Sequence, residues 1–296
     1  MARRLSPTVT TLLAYPNVSE GRDVDVITRI GRAFGDGLLD VHSDPDHHRS
    51  AFTLAGEPGE LAQAVAAGAA TAIELVSIDA HDGIHPRVGA VDVAPIVFLG
   101  DADRGGACAE ALVLADLLAT DLALPVFLYG ILAGGRSRAE LRRGGPGELA
   151  RRIATGELTP DFGPPALHPT AGAVLVAARP PLVAFNVELA PPATLQDAKR
   201  IAALIREGGQ EGLPGLRAIG LWLDQFGFAQ VSTNVEDHRA TPLAAVVAAV
   251  ARHARVTGAE LVGLAPQAAL DAFPPDVQLR GYATIEDSLH RRARTA

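Results

Sequence analysis

Leu38-Leu-Asp-Val-His42 and Ser50-Ala-Phe-Thr-Leu-Ala55 are two strand-like runs separated by only the seven polar residues Ser43-Asp-Pro-Asp-His-His-Arg49. So short a connection makes the pair antiparallel, because parallel neighbours need a crossover of a dozen residues or more. A second close pair lies at 216–223 and 228–235, and the two together exclude a single doubly wound parallel sheet. Working outward, a strand at 9–15 precedes a helix in which Ile27, Ile30 and Phe34 recur at helical spacing, with Asp23 placed as its N-cap. An alanine-rich helix over 57–76 and a strand at 91–99 complete the order βαββαβ. A helix over about 106–122 and a strand at 125–129 extend this half, and 134–165 turns rich in glycine, proline and arginine.

The order then repeats. Strands are expected at 173–178 and 182–189, then a helix at 194–206, the close strand pair, a helix at 243–254 and a strand at 260–264. The fold class is therefore α+β: two ferredoxin-like lobes in tandem, residues 1–178 and 179–296, each a sheet with two helices on one face.

Composition limits what such a chain does. At 296 residues and 48% hydrophobic it can bury a sizeable core, and a formal charge of −8 with scattered cations excludes a nucleic-acid surface. The longest apolar run, 243–251, is far shorter than the roughly 20 residues of a membrane span, and 9–15 is too brief for a signal-peptide core. The expectation is a soluble, cytoplasmic protein without membrane or nucleic-acid partners. The single cysteine, Cys108, sits in an alanine-rich helix and is expected to be a small buried side chain.

Chemistry concentrates in His81-Asp-Gly-Ile-His-Pro-Arg-Val-Gly-Ala-Val-Asp92. Imidazole is the side chain whose ordinary pKa suits acid/base work at neutral pH, and His85, pinned by Pro86 and followed by Arg87, is the candidate catalytic residue. Two histidines four apart can also ligate a metal on a helix face, but Gly83 and Pro86 break that helix, so no metal is expected. His47 and His48, before Arg49, form either a solvated turn or a wall of the same site. Pro160 to Gly172 is either a rigid slot for a flat ligand or a linker between the halves.

Taken together, Tyr15-Pro-Asn-Val-Ser-Glu-Gly-Arg-Asp23, Asp44-Pro-Asp-His-His-Arg49, the His81–Asp92 run preceded by Asp79-Ala80, Pro125-Val-Phe-Leu-Tyr129, Pro160-Asp-Phe-Gly-Pro164, Ala184-Phe-Asn186 and Gln230-Val-Ser-Thr-Asn234 resemble the formiminotransferase domain family nearly end to end. The resemblance implies a homodimer of two-lobed protomers with a tunnel between the lobes. It also implies transfer of a formimidoyl group from N-formimidoylglutamate to tetrahydrofolate, a co-substrate, during histidine breakdown. It places the catalytic histidine on His85 and the folate-binding segment on Gly163, Pro164, Pro165, Ala166, Leu167, His168, Pro169, Thr170, Ala171 and Gly172. Arg49 and Arg87, whose planar forks match carboxylates, are the candidates for holding glutamate, with His48, His42 and Asn17 as further substrate-binding residues. Two other readings share these residues: a one-carbon transferase with a different donor or acceptor, and a non-catalytic folate-binding homologue.

Overall fold

The computed structural model describes residues 11–79, 81–82, 86–224 and 226–295. The chain divides after Arg179 into two compact units. In the first, the elements are β1 (Leu12–Ala14), β2 (Asn17–Val18), α1 (Val24–Ala33), β3 (Leu38–Asp44), β4 (Arg49–Gly56), α2 (Leu61–Leu75), β5 (Val91–Val97), α3 (Arg104–Thr120), β6 (Val126–Leu128), α4 (Arg138–Arg142), α5 (Gly145–Ala154) and β7 (Val174–Arg179). β1 and β2 are two pieces of one strand line, both antiparallel to β4 and β5 and separated at Tyr15-Pro16, where proline has no N–H to give to a ladder.

The sheet runs β3, β4, β1/β2, β5, β7, β6, with the last two pairings parallel. Its first four positions are the expected ferredoxin-like arrangement. α1, α2 and α3 cover one face through Ile30, Phe34, Val65, Ala69, Leu114 and Leu118, which pack on Leu12, Phe52, Leu54 and Ile96. Asp23 caps α1 as its sequence suggests, its carboxylate accepting from the Asp25 and Val26 amides, each at 3.0 Å. The N-terminus of α2 is capped from elsewhere. Glu110 of α3, 3% exposed, accepts from the Gly59 and Ala62 amides at 2.6 and 2.7 Å.

Two features depart from the sequence expectation. The strand after the glycine-, proline- and arginine-rich stretch inserts between β5 and β6, and that stretch itself folds into α4 and α5. Leu141, Leu149 and Ile153 from these helices pack on Val93, Phe127, Leu175 and Ala177, covering the opposite face of the parallel end. The first sheet is thus flanked by helices on both faces rather than on one. Cys108 is half-buried against the first core.

The second unit holds β8 (Val183–Leu189), α6 (Leu195–Ile205), β9 (Leu216–Leu223), β10 (Phe228–Val235), α7 (Leu243–Ala251), β11 (Val256–Val262), β12 (Leu279–Arg280) and α8 (Ile285–Thr295). Its strand order, β9, β10, β8, β11, repeats that of the first four positions above, with β12 added parallel to β11. α6 and α7 bury Ile201, Ile205, Val246 and Val250 on Phe185, Val187 and Val231. β11 starts at Val256 rather than at 260, because a bulge at Val256/Gly258 carries the ladder across the glycine that masks the strand in the sequence. No helix among the described residues is long and apolar enough to cross a membrane.

Candidate functional site

Strand register decides which polar side chains meet. His42 pairs with Ala51, Asp44 with Arg49, and Asn17 with Ala51. Directly opposed residues project from the same side of a sheet, and alternate residues from the other. Phe52 and Leu54 point into the helix-covered core, so His42, Asp44, Arg49 and Asn17 share the face away from α1, α2 and α3. Asn17 spends an amide hydrogen locally, donating to the Tyr15 carbonyl at 3.1 Å.

The turn between β3 and β4 is organised by Asp44. Its carboxylate accepts from the Asp46 and His47 amides, both at 2.9 Å, and pairs with His47 Nδ1 at 2.5 Å. Burial pushes this carboxyl's pKa up, but the side-chain and backbone hydrogen bonds from His47 outweigh it and bring the pKa down to about 2. His48 follows in the left-handed region at φ 50°, a conformation that costs a non-glycine residue about 1–2 kcal/mol and aims its ring inward. Its Nδ1 accepts from the Gly21 amide at 3.1 Å; an amide can only donate, so the neutral ring carries its proton on Nε2.

His81 stacks on His48 with ring centroids 4.3 Å apart, and its Nε2 lies 3.0 Å from the His48 carbonyl oxygen. A carbonyl only accepts, so His81 is protonated on Nε2 and the lone pair of its neutral ring is on Nδ1. Burial, and then the positive charge of Arg87, lower its pKa, which makes it neutral at pH 7. Arg87 donates to the His81 carbonyl, and Asp92, 2% exposed, accepts from the Val88 amide at 2.8 Å and from the Arg142 guanidinium. Arg49 is half-buried. Its desolvation lowers its pKa, Asp44 and Asp92 oppose that, and Arg142 and Arg138 add to it. Ser19, His47, His48, Arg49, His81, Arg87 and Asp92 line one tight cleft. The wider hollow between α1 and β3, lined by Ile27, Arg32, Asp36, Leu38 and Val41, holds no such cluster.

Residues 163–172 lie against the loop that carries the histidines. Ile78 donates to the Thr170 carbonyl at 2.9 Å, Ala90 to Ala171 at 2.8 Å and Ala173 to Val88 at 3.0 Å. The contact depends on two glycines facing each other in an isolated bridge: a Cβ on Gly89 would stand 1.9 Å from the Ala173 oxygen, and one on Gly172, at φ 71°, 2.3 Å from the Val88 oxygen. Within the loop, His168 and Gly172 exchange backbone hydrogen bonds at 2.9 and 3.0 Å, and His168 Nδ1 accepts from the Ala171 amide at 3.1 Å. Pro165, Ala166, Pro169 and Thr170 are exposed, while Ala171 is buried in the core of the first unit. Gly163 has a structural reason of its own, since at φ 82° its added Cβ would meet the Leu124 oxygen at 2.3 Å. The residues before it are stitched to β6, with Val126 donating to Phe162 at 3.0 Å and Leu128 to the Asp161 carboxylate at 2.7 Å.

The structure therefore brings Arg49, Arg87 and His48 into one cleft and sets His42 and Asn17 on the sheet face that carries Arg49. His85 lies outside the described residues. Sequence reasoning weighed His81 only as a metal ligand, and it missed Arg138 and Arg142. The four-residue spacing of those arginines was a faint signal, inside a stretch whose glycines and prolines hide a short helix.

Residues 11–179 match the family model for the formiminotransferase domain, N-terminal subdomain, and residues 184–274 match that for the formiminotransferase domain. A glutamate formimidoyltransferase from Thermoplasma acidophilum is 34% identical over 282 residues, covering 90% of this chain and 92% of the relative. One from Streptococcus pyogenes is 34% identical over 267 residues, covering 86% and 89%. The formimidoyltransferase-cyclodeaminase of Sus scrofa is 39% identical over 277 residues, which is 87% of this chain but 50% of that protein, so the chain spans half the length of this relative.

Proposed function

The chain belongs to the formiminotransferase domain family, and on that premise we propose that it transfers a formimidoyl group from N-formimidoyl-L-glutamate to N-5 of tetrahydrofolate, releasing glutamate. The observation that carries this reading is the pairing of loop 163–172 with the His81–Asp92 motif through Gly89 and Gly172, beside a face bearing Arg49 and the cleft histidines. A flat acceptor and a carboxylate-rich donor each find their chemistry there. The exposed edge of Pro165, Ala166, Pro169 and Thr170 offers rigid backbone to the pterin, and Arg49 and Arg87 offer guanidinium forks to the donor.

The reaction needs no protein nucleophile. N-5 attacks the amidine carbon to form a tetrahedral intermediate; His85 takes the proton from N-5 and returns it to the glutamate nitrogen, which leaves as the carbon–nitrogen bond breaks. Such proton transfer contributes about 100- to 10,000-fold in rate. His48, His42 and Asn17 line the donor's path. The setting is histidine degradation and one-carbon metabolism in the cytoplasm, with the chain acting as a homodimer.

The test is direct: purified protein is incubated with N-formimidoylglutamate and tetrahydrofolate and assayed for 5-formimidoyltetrahydrofolate, alongside thermal shifts with each substrate. Turnover with both present is expected. Saturating tetrahydrofolate that yields neither transfer nor a thermal shift would remove the assignment.

A further inference from the structure

His48 sits where three segments of the first unit are tied together. On one side, the turn between β3 and β4 is held by the stretch Glu20-Gly21-Arg22. Ser50 Oγ donates to the Glu20 carbonyl at 2.6 Å, and the Gly21 amide donates to His48 Nδ1 at 3.1 Å. Only glycine permits so close an approach, because a Cβ on Gly21 would stand 2.4 Å from both the Arg49 nitrogen and the Asp44 oxygen. On the other side, the turn meets the histidine loop twice. His81 Nε2 donates to the His48 carbonyl at 3.0 Å while its ring stacks on that of His48, 29° from parallel. Arg22 spans the same gap, donating to the Pro45 carbonyl at 3.0 Å and to the Asp82 carboxylate at 2.7 Å.

The two ties on His48 do different work. Its left-handed backbone is unfavourable for a residue with a Cβ and persists only where neighbours impose it. His81 acts on both parts of the residue: its N–H holds the His48 carbonyl, and its ring fixes the direction of the His48 ring. The Gly21 amide then decides the proton, since Nδ1 must accept and the hydrogen of the neutral ring goes to Nε2. Glu20 Oε1 lies 3.4 Å from Nδ1, but that oxygen already accepts from the Arg22 and Asp23 amides at 2.7 and 3.0 Å. Among the described residues His48 Nε2 has no hydrogen-bond partner, and the ring lines the cleft that also holds Arg49 and Arg87. The result is a neutral N–H donor of fixed direction, suited to an acceptor atom and adding no further positive charge.

We propose that His48 is a specificity-determining residue whose Nε2–H binds a carboxylate oxygen of the formimidoyl donor, and that His81 is the positioning residue that holds it there. The identity of the ligand rests on the formimidoyl-transfer reading, whereas the brace between the two histidines rests on their geometry. His81 acts through His48 and takes no part in moving a proton.

The experiment compares the full-length wild type with His48→Phe, His81→Phe, the double variant, and His48→Asn with and without His81→Phe. Loss of a hydrogen bond to a charged acceptor in His48→Phe is expected to raise KM for N-formimidoylglutamate about 10- to 100-fold, leaving kcat and the KM for tetrahydrofolate near wild type. His81→Phe keeps a ring against His48 but loses the N–H, and raises the same KM about 3- to 10-fold. In the double variant the second change adds nothing, because both act through one contact. Asparagine adopts the left-handed region readily and carries its own donor and acceptor, so His48→Asn stays near wild type and His81→Phe has little effect beside it. Additive effects in the double variant, a fall in kcat, a rise in both KM values or an unchanged donor KM in His48→Phe overturns the proposal. A second readout is independent of turnover. In histidine labelled with nitrogen-15, at about pH 8, the His48 signals, identified by their absence from His48→Phe, are expected to show the Nε2–H tautomer in the wild type and a mixture in His81→Phe. The Nδ1–H tautomer in the wild type, or identical spectra in both proteins, sinks the brace. If the wild type transfers nothing, the functional reading fails separately and these spectra decide the brace.

Discussion

The two units share one strand order and differ in what is laid on it. In the second, the sheet face away from α6 and α7 carries Asn186, Glu188 and Glu260, and these are satisfied from within: Arg280 pairs with Glu188 and lies 3.6 Å from Glu260, which also accepts from Asn186 at 3.1 Å. In the first, the corresponding face carries Arg49, and α4 brings Arg142 and Arg138 to it while Asp44 and Asp92 are already occupied. The same skeleton thus carries paired carboxylates and one arginine on this face in one lobe, and in the other a cluster of histidines and arginines reached by a short added helix. The comparison teaches that the two lobes differ in what is added to a shared skeleton: the glycine-braced loop pair and the short helices of the first unit.

The sharpest way to break the comparison is to disturb the loop pair. Gly89→Ala forces a Cβ against the Ala173 oxygen at 1.9 Å and the Ala171 oxygen at 2.6 Å, and is expected to cost more than about 4 kcal/mol, read as loss of soluble protein or a large drop in denaturation midpoint. Wild-type stability in this variant would mean the loops do not touch in solution. Next in size is His85→Ala, which should retain the fold and folate binding while lowering turnover by at least about 100-fold. Near-normal turnover would take His85 out of the mechanism.

A third prediction sets the helix caps of the two units against each other. Glu110→Ala strands two amides inside the first unit and should cost about 2–3 kcal/mol, whereas Thr194→Ala removes an exposed capping box from α6 and should cost about 1 kcal/mol. Equal losses in thermal denaturation would show that burial does not distinguish the caps. The last effect is one that pH removes, and it concerns Asp44. Its folded pKa of about 2 lies below the usual 3.8, so the stability it adds is present above 3.8 and is lost as pH falls through about 2. Asp44→Asn should be less stable than wild type by about 2 kcal/mol at pH 7, with the gap closing between about pH 4 and 2 in urea titrations. A gap that persists at pH 2 would assign the loss to geometry rather than charge.

Reading the chain residue by residue went far with elements whose signals are local. Asp23 capping α1, the antiparallel pair on either side of Ser43–Arg49 and the apolar spacing of α6 are all set by neighbours a few positions away, and each is found where periodicity and turn chemistry put it. Composition alone also singles out the cluster of histidine and arginine around residue 81 as a candidate site, of which His81 and Arg87 are seen to line a cleft with His48 and Arg49. What periodicity cannot report is which distant segment comes to lie alongside. That β7 enters between β5 and β6, that a glycine- and proline-rich stretch folds into α4 and α5 and carries Arg138 and Arg142 to Arg49 and Asp92, and that Ala171 faces the core while its neighbours face solvent are consequences of packing between residues tens of positions apart. Local propensity and spacing are written into the order of the residues; the balance of charge on a sheet face, and the side chains that meet there, arise only when burial of the core has brought the strands and helices together.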